Sequence, residues 1–184
     1  MSFQTGWGHI ARRARVPLGF LFAIVYLCLA RPSGGSILVG GAVAVCGVLL
    51  RAAASGHVQK NEALTTTGPY AYTRNPLYLG SVIIAAGFAI AARSWWIVVA
   101  LLLLFVTVYL PVIHSEEAFL RQRFPEFADY ARRVPRLIPR FANVTKGAGT
   151  FSSQLYLQHR EYNAAMGTAA MLAALVAKLL WFQH

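Results

Sequence analysis

Acidic residues are scarce in this sequence. Six Asp and Glu stand against 17 Lys and Arg in 184 residues, and charged residues of every kind make up 12%. Beside 57% hydrophobic residues and a mean hydropathy of +0.52, that leaves too little polar surface to coat a water-soluble globule. The chain therefore belongs in a bilayer. Cysteine is also rare: Cys28 and Cys46 both lie in apolar runs and read as small core hydrophobes rather than as a disulfide or ligands. Neither has a basic neighbour, and no Gly-x-Ser-x-Gly stands in for a nucleophile. Glycine loops of the Rossmann or P-loop kind are missing too. No His, Asp or Glu set has metal spacing, so His114 stands alone and no metal is expected.

What is present is long apolar runs. A membrane span takes about 17–25 residues, and three segments qualify: Ile37 to Leu50, extendable past Arg51 to Ser55; Pro76 to Ala92; and Trp95 to Ile113. Tyr162 to Phe182 makes a fourth if Lys178 snorkels to the nearby interface. Pro17 to Ala30, at 14 residues, is a thin or tilted span or half of a hairpin with the next segment. Preceded by Arg-Arg-Ala-Arg it also looks like a secretory signal, but the next apolar run follows too closely for a mature domain to begin there.

With five spans, one membrane side holds 14 of the 17 basic residues and the other only Arg31, Arg93 and Lys178. Such asymmetry encodes orientation, so the rich side is expected to be cytoplasmic. The net charge of +11 then reports topology and contact with anionic lipid rather than nucleic acid. A prokaryotic inner membrane is the expected location.

In chain order, a basic juxtamembrane arm leads into a hairpin turning at Arg31-Pro-Ser-Gly-Gly, followed by a polar cytoplasmic loop. A second hairpin runs out along Pro76 to Ala92, turns at Arg93-Ser94 and returns along Trp95 to Ile113. Ser94 is a candidate cap for the returning helix, and Trp95-Trp96 mark the far interface. Beyond Glu117, the run AFLRQRFPEFADYARR reads as interfacial helices lying apolar face down. Residues 1–142 would be the core, with four spans and cytoplasmic interfacial helices. Residues 143–184 would be a linker and an added C-terminal span, packed closely through Ala164, Ala165, Gly167, Ala169 and Ala170. The fold class is all-α: a polytopic helical bundle of about five transmembrane helices with a cytoplasmic pocket.

The stretch Gly68 to Gly80, GPYAYTRNPLYLG, stands at the mouth of the second hairpin. Pro69 and Pro76 forbid a continuous helix there, and Pro76 suits the first position of the next one. Hairpin geometry brings Asn75 to the same membrane surface as His114, Glu116 and Glu117. Carboxylates, Arg74, the rings of Tyr70, Tyr72 and Tyr78 and the amides of Gln59, Asn61 and Asn75 would then form one pocket. Carboxylates attract an ammonium group and aromatic faces suit a sulfonium cation. Yet a Glu pair after a membrane helix is often only solvated charge, and interfacial tyrosines often only anchor.

GPYAYTRNPLYLG, followed after a hairpin by HSEEAFLRQRFPEFADYARRVPRLIP, resembles the membrane methyltransferases related to isoprenylcysteine carboxyl methyltransferase and the phospholipid methyltransferases. Those carry Gly-x-Tyr, Arg-His-Pro-x-Tyr, a later Glu-Glu and a Val-Pro tail. The resemblance implies S-adenosylmethionine (SAM) as cofactor, held by Gln59, Leu64, Thr65, Tyr70, Asn75, Pro76, Leu77, Tyr78 and Glu116. It departs from the pattern at Asn75, where the family most often has His. Eukaryotic isoprenylcysteine enzymes keep an Arg just before the glutamates, where this chain reads Leu110-Pro-Val-Ile-His114.

The expected activity is methyl transfer to a lipophilic small molecule, a membrane lipid or a lipidated substrate. Arg74 would neutralise an acceptor carboxylate or phosphate, with Arg136 as second choice. His114 or Glu117 would take a proton from an amine or thiol acceptor. The alternatives are an NADPH-dependent reductase akin to the sterol reductases, and a non-enzymatic scaffold or transport protein.

Overall fold

The computed structural model describes residues 23–59, 63–141 and 149–181, and among them there is no strand. The N-terminal arm, the first part of the Pro17 to Ala30 segment, Lys60, Asn61, Glu62, residues 142–148 of the linker and Phe182 lie outside the described residues. The helices are α1 (residues 23–29), α2 (Gly34–Ser55), α3 (Pro76–Ala92), α4 (Trp95–Arg123), α5 (Phe127–Arg133), α6 (Ser153–Gln158) and α7 (Tyr162–Trp181). Of these α2, α4 and α7 are long and apolar enough to cross a membrane. α3 is a shorter apolar helix of 17 residues, at the lower edge of what a span needs.

α2 and α3 form the antiparallel pair on which everything else rests. Gly40, Ala44, Gly47 and Arg51 of α2 interlock with Gly80, Ile84, Gly87 and Ala91 of α3. A Cβ added at Gly87 would stand 2.5 Å from the Gly40 carbonyl, and one at Gly47 would stand 2.7 Å from the Gly80 carbonyl. Backbones this close gain dispersion contacts along their length, the route to association where lipid supplies no hydrophobic drive. The close-packing device thus sits in the central pair and not in α7. There, Gly167 faces open space and Ala169 and Ala170 are exposed, while Thr168 and Leu175 are buried and Leu172 meets Gly41 of α2.

Ser33 and Ser36 form a reciprocal capping box at the start of α2, and Ser36 also donates to the Ala91 carbonyl at 3.0 Å. Ser94 occupies the cap position of α4 with extended backbone, but its side chain makes no capping hydrogen bond, contrary to expectation. Arg93 instead makes the turn by adopting the left-handed conformation, φ 51°.

α4 runs on without a break through His114 and Glu117 to Arg123. Its 29 residues reach about 44 Å at 1.5 Å per residue, beyond the roughly 30 Å hydrocarbon layer. Residues 118–123 therefore continue the same helix past the hydrocarbon layer. Midway, Phe105–Tyr109 widen into a π-helical turn just ahead of Pro111. Pro111 lacks an N–H and its ring crowds the carbonyl of Thr107, which the wider turn relieves. One extra residue rotates the rest of the helix by about 100°, and Ile113 and Glu117 come to face inward.

α5 packs its apolar face on the protein. Phe127 is fully buried and Tyr130 nearly so, and the Tyr130 hydroxyl donates to the Tyr70 carbonyl at 2.7 Å. That hydrogen bond turns the apolar face of α5 onto the protein. Cys28 and Cys46 correct another expectation, since both are exposed. They lie on outward faces of apolar helices, where acyl chains rather than a protein core would meet them.

Candidate active site

Pro69 opens a single 3-10 turn, Gly68–Ala71, and Pro76 opens α3, so Tyr72 to Asn75 run between as an irregular strap. After α5, Pro135 and Pro139 prevent another helix and the tail crosses that strap. The Arg74 N–H donates to the Pro135 carbonyl at 2.9 Å and the Arg140 N–H to the Tyr72 carbonyl at 3.0 Å. Thr73, buried, donates from its hydroxyl to the carbonyls of Arg136 and Leu137. Strap and tail thus hold each other over the end of α4.

Glu117, 5% exposed, is the hub. Its Oε1 accepts from Arg74 Nε at 3.1 Å and from Asn75 Nδ2 at 3.1 Å, and its Oε2 accepts from Arg136 Nε at 3.0 Å. Asn75 directs its second amide hydrogen to the Arg136 carbonyl at 3.0 Å. Arg74 adds a 2.7 Å bond from Nη1 to the Ala131 carbonyl. One carboxylate and two guanidiniums leave the cluster net positive, and every donor of Asn75 is engaged inside it.

Glu116 follows a different course because adjacent residues on a helix point about 100° apart. It is exposed and accepts from the Tyr78 hydroxyl at 2.9 Å. Tyr78 meets Tyr109 edge to face at 5.9 Å, and Tyr109 stacks on Phe105 at 6.2 Å. The π-helical turn therefore supplies an aromatic wall beside an open carboxylate. His114 is also exposed, and its Nε2 takes a hydrogen bond from Arg136, whose side chain is 43% exposed.

The expected residues divide into two groups. Arg74, Asn75, Tyr78, His114, Glu116, Glu117 and Arg136 are brought together, with Pro76 buried beneath them. Tyr70 is joined through Tyr130; burial pushes the pKa of both phenols up, and each hydroxyl stays protonated. Gln59 and Thr65 bond to one another, the Gln59 N–H donating to Thr65 Oγ1 at 3.2 Å. Among the described residues no hydrogen bond or ion pair ties them or Leu64 to Glu116 or Glu117. Leu77 is half-buried in the first turn of α3. Two surface grooves, of about 460 and 380 Å³, lie at the opposite end of the hairpin around Arg93 and Trp95. Among the described residues the cluster of carboxylates, arginines and amide lies instead at the Glu117 end. Among the described residues no three His, Cys, Asp or Glu are grouped to hold a metal ion.

A second ion pair was not foreseen from the sequence. Arg51, just before the last turn of α2, grips both carboxylate oxygens of Glu161 at 2.9 and 3.0 Å and donates to the Leu77 carbonyl at 3.2 Å. It joins α2, the first turn of α3 and the start of α7. An Arg inside an otherwise apolar run was the available signal.

Residues 34–126, half of the chain, match the phospholipid methyltransferase family. The chain belongs to that family. The matched stretch contains the strap, the hairpin, Glu116 and Glu117. Similar relatives include the cobalt-zinc-cadmium resistance protein CzcN of Cupriavidus metallidurans, 38% identical over 51% of this chain and 43% of that protein. The nickel-cobalt-cadmium resistance protein NccN of Alcaligenes xylosoxydans xylosoxydans is 40% identical over 46% of this chain and 39% of that protein. The chain thus matches less than half the length of these curated relatives. No solved structure matches it.

Proposed function

We propose that this family member is a SAM-dependent methyltransferase that modifies a lipophilic acceptor at the cytoplasmic face of a prokaryotic inner membrane. The observation that carries the reading is the exposed Tyr78–Glu116 pair standing over the buried Asn75–Glu117–Arg cluster. An open carboxylate suits the cofactor's ammonium group, and the faces of Tyr78 and Tyr109 suit its sulfonium. Tyr78, Leu77 and Glu116 would make direct contact, whereas Asn75 and Pro76, both buried, would shape the floor beneath. Tyr70 and the Gln59, Leu64 and Thr65 loop would complete the cofactor's surroundings. When bound, SAM supplies an electrophilic methyl group.

The protein's own contribution is then to hold donor and acceptor in line and exclude water. Geometry reverses the order of the two arginines. Arg74 is committed to Glu117 and Ala131 with its side chain 11% exposed, while Arg136, also paired with Glu117, has a side chain 43% exposed and is the better placed to reach an acceptor carboxylate or phosphate. Ile138 and Phe141, exposed on the same tail, offer apolar surface to the rest of such a molecule. His114 would take a proton from an amine or thiol acceptor once Arg136 turns toward it. Glu117 holds both arginines and serves as positioning residue.

Incubating membranes containing the protein with methyl-labelled SAM tests the reading. Label should enter the lipid-extractable fraction. No labelled lipophile, together with no SAM or S-adenosylhomocysteine binding by the purified protein at millimolar concentration, would overturn it.

A further inference from the structure

Among the described residues, Arg31 and Arg93 stand at the far end of the molecule without an acidic neighbour. Arg31, Arg93 and Lys178 all gather there. The five described acidic residues, Glu116, Glu117, Glu126, Asp129 and Glu161, sit on the Glu117 end. Two loops make the far end into one surface, because the Arg31 N–H donates to the Ala92 carbonyl at 2.8 Å. Between them lies a groove of about 380 Å³ lined by Arg31, Arg93, Ser94, Trp95 and Trp96. Lys178 closes its back by donating to the carbonyls of Cys28 and Ala30.

Both groove arginines are exposed, and among the described residues neither guanidinium has a hydrogen-bond or ion-pair partner. Trp95 and Trp96, 79% and 73% exposed, fix the depth of this surface at the membrane–water boundary. The boundary is where lipid phosphates lie, and a paired guanidinium fork binds phosphate oxygens. Among the described residues no carboxylate lines this groove, so none there offers a partner to the ammonium of a zwitterionic headgroup.

We infer that the Arg31–Arg93 groove is a binding site for the phosphate of an anionic phospholipid in the leaflet opposite the candidate active site. The inference is independent of the methyl-transfer reading.

Native mass spectrometry of the full chain, equilibrated with equimolar phosphatidylglycerol and phosphatidylcholine in detergent, tests it. The protein should retain phosphatidylglycerol preferentially. Arg31→Gln and Arg93→Gln should each lower that retention roughly fivefold, as expected for one basic residue at an anionic surface. Lysine at both positions should preserve most of it. Arg121→Gln, an equal charge change at the other end of α4, should leave it unchanged. Equal retention of the two lipids, or no loss in the glutamine variants, overturns the site. Displacement of the lipid by inorganic phosphate at low millimolar concentration would show a free-anion site and overturn the lipid assignment. If Arg93→Gln fails to fold because of its left-handed backbone, Arg31→Gln on the other loop decides alone.

Discussion

Asn75 and Glu117 meet at 3.1 Å, amide nitrogen to carboxylate oxygen, with the other hydrogen of the same amide held by the Arg136 carbonyl at 3.0 Å. A residue at the start of α3 is thereby locked to the end of α4 and to the tail. Asn75→Ala should cost about 1–3 kcal/mol by leaving buried acceptors short of donors. Asn75→Asp should cost more, because it sets a second carboxylate against the first. Thermal unfolding in detergent ranks the two, and equal midpoints for Asn75→Asp and the parent would refute the contact.

Glu116 and Glu117 should separate in kind of effect. Glu117→Ala leaves Arg74 buried without its partner and should destabilise by about 3–5 kcal/mol. Glu116→Ala and Tyr78→Ala remove exposed rim groups, so the melting midpoint should hold while SAM affinity in a calorimetric titration falls. Unchanged affinity in both would move the cofactor site elsewhere.

The glycine seam makes a steric prediction. Gly87→Val should disrupt the α2–α3 pair, costing at least about 1–3 kcal/mol, since its Cβ has no room against the Gly40 backbone. Gly167→Val should be tolerated, with nothing within 4 Å. Chromatographic monodispersity of the purified variants reports both.

Glu161→Gln should loosen α7. The pair it breaks has side chains 21% and 11% exposed, so a loss of about 1–3 kcal/mol lies between the surface and buried limits. In a double-mutant cycle with Arg51→Met, the second change should add little once the first is made. Fully additive losses would mean that the two residues act separately.

For topology, single cysteines at Ser94 and Ser115 should label from opposite sides of the membrane. Cys28 and Cys46 are exposed and must first be replaced by Ala. Same-side labelling would refute the α3–α4 hairpin.

Membrane class, the α3–α4 hairpin and the meeting of Asn75 with the Glu pair were legible in the linear order of residues. Apolar run lengths set the spans, and two prolines set where the strap begins and ends. These are local properties, carried by backbone chemistry and hydropathy within about twenty residues. Which glutamate turns inward was not legible, because the rotation comes from the π-helical turn before Pro111. Nor was the burial of α5, since AFLRQRFPEFADYARR carries the same amphipathic pattern whether its apolar side meets lipid or Tyr70. The glycine seam between α2 and α3 and the Arg51–Glu161 bond depend on which helices become neighbours. Only the tertiary structure decides that, because dispersion between close backbones and pairing of part-buried charges arise from contacts between segments 30–110 positions apart.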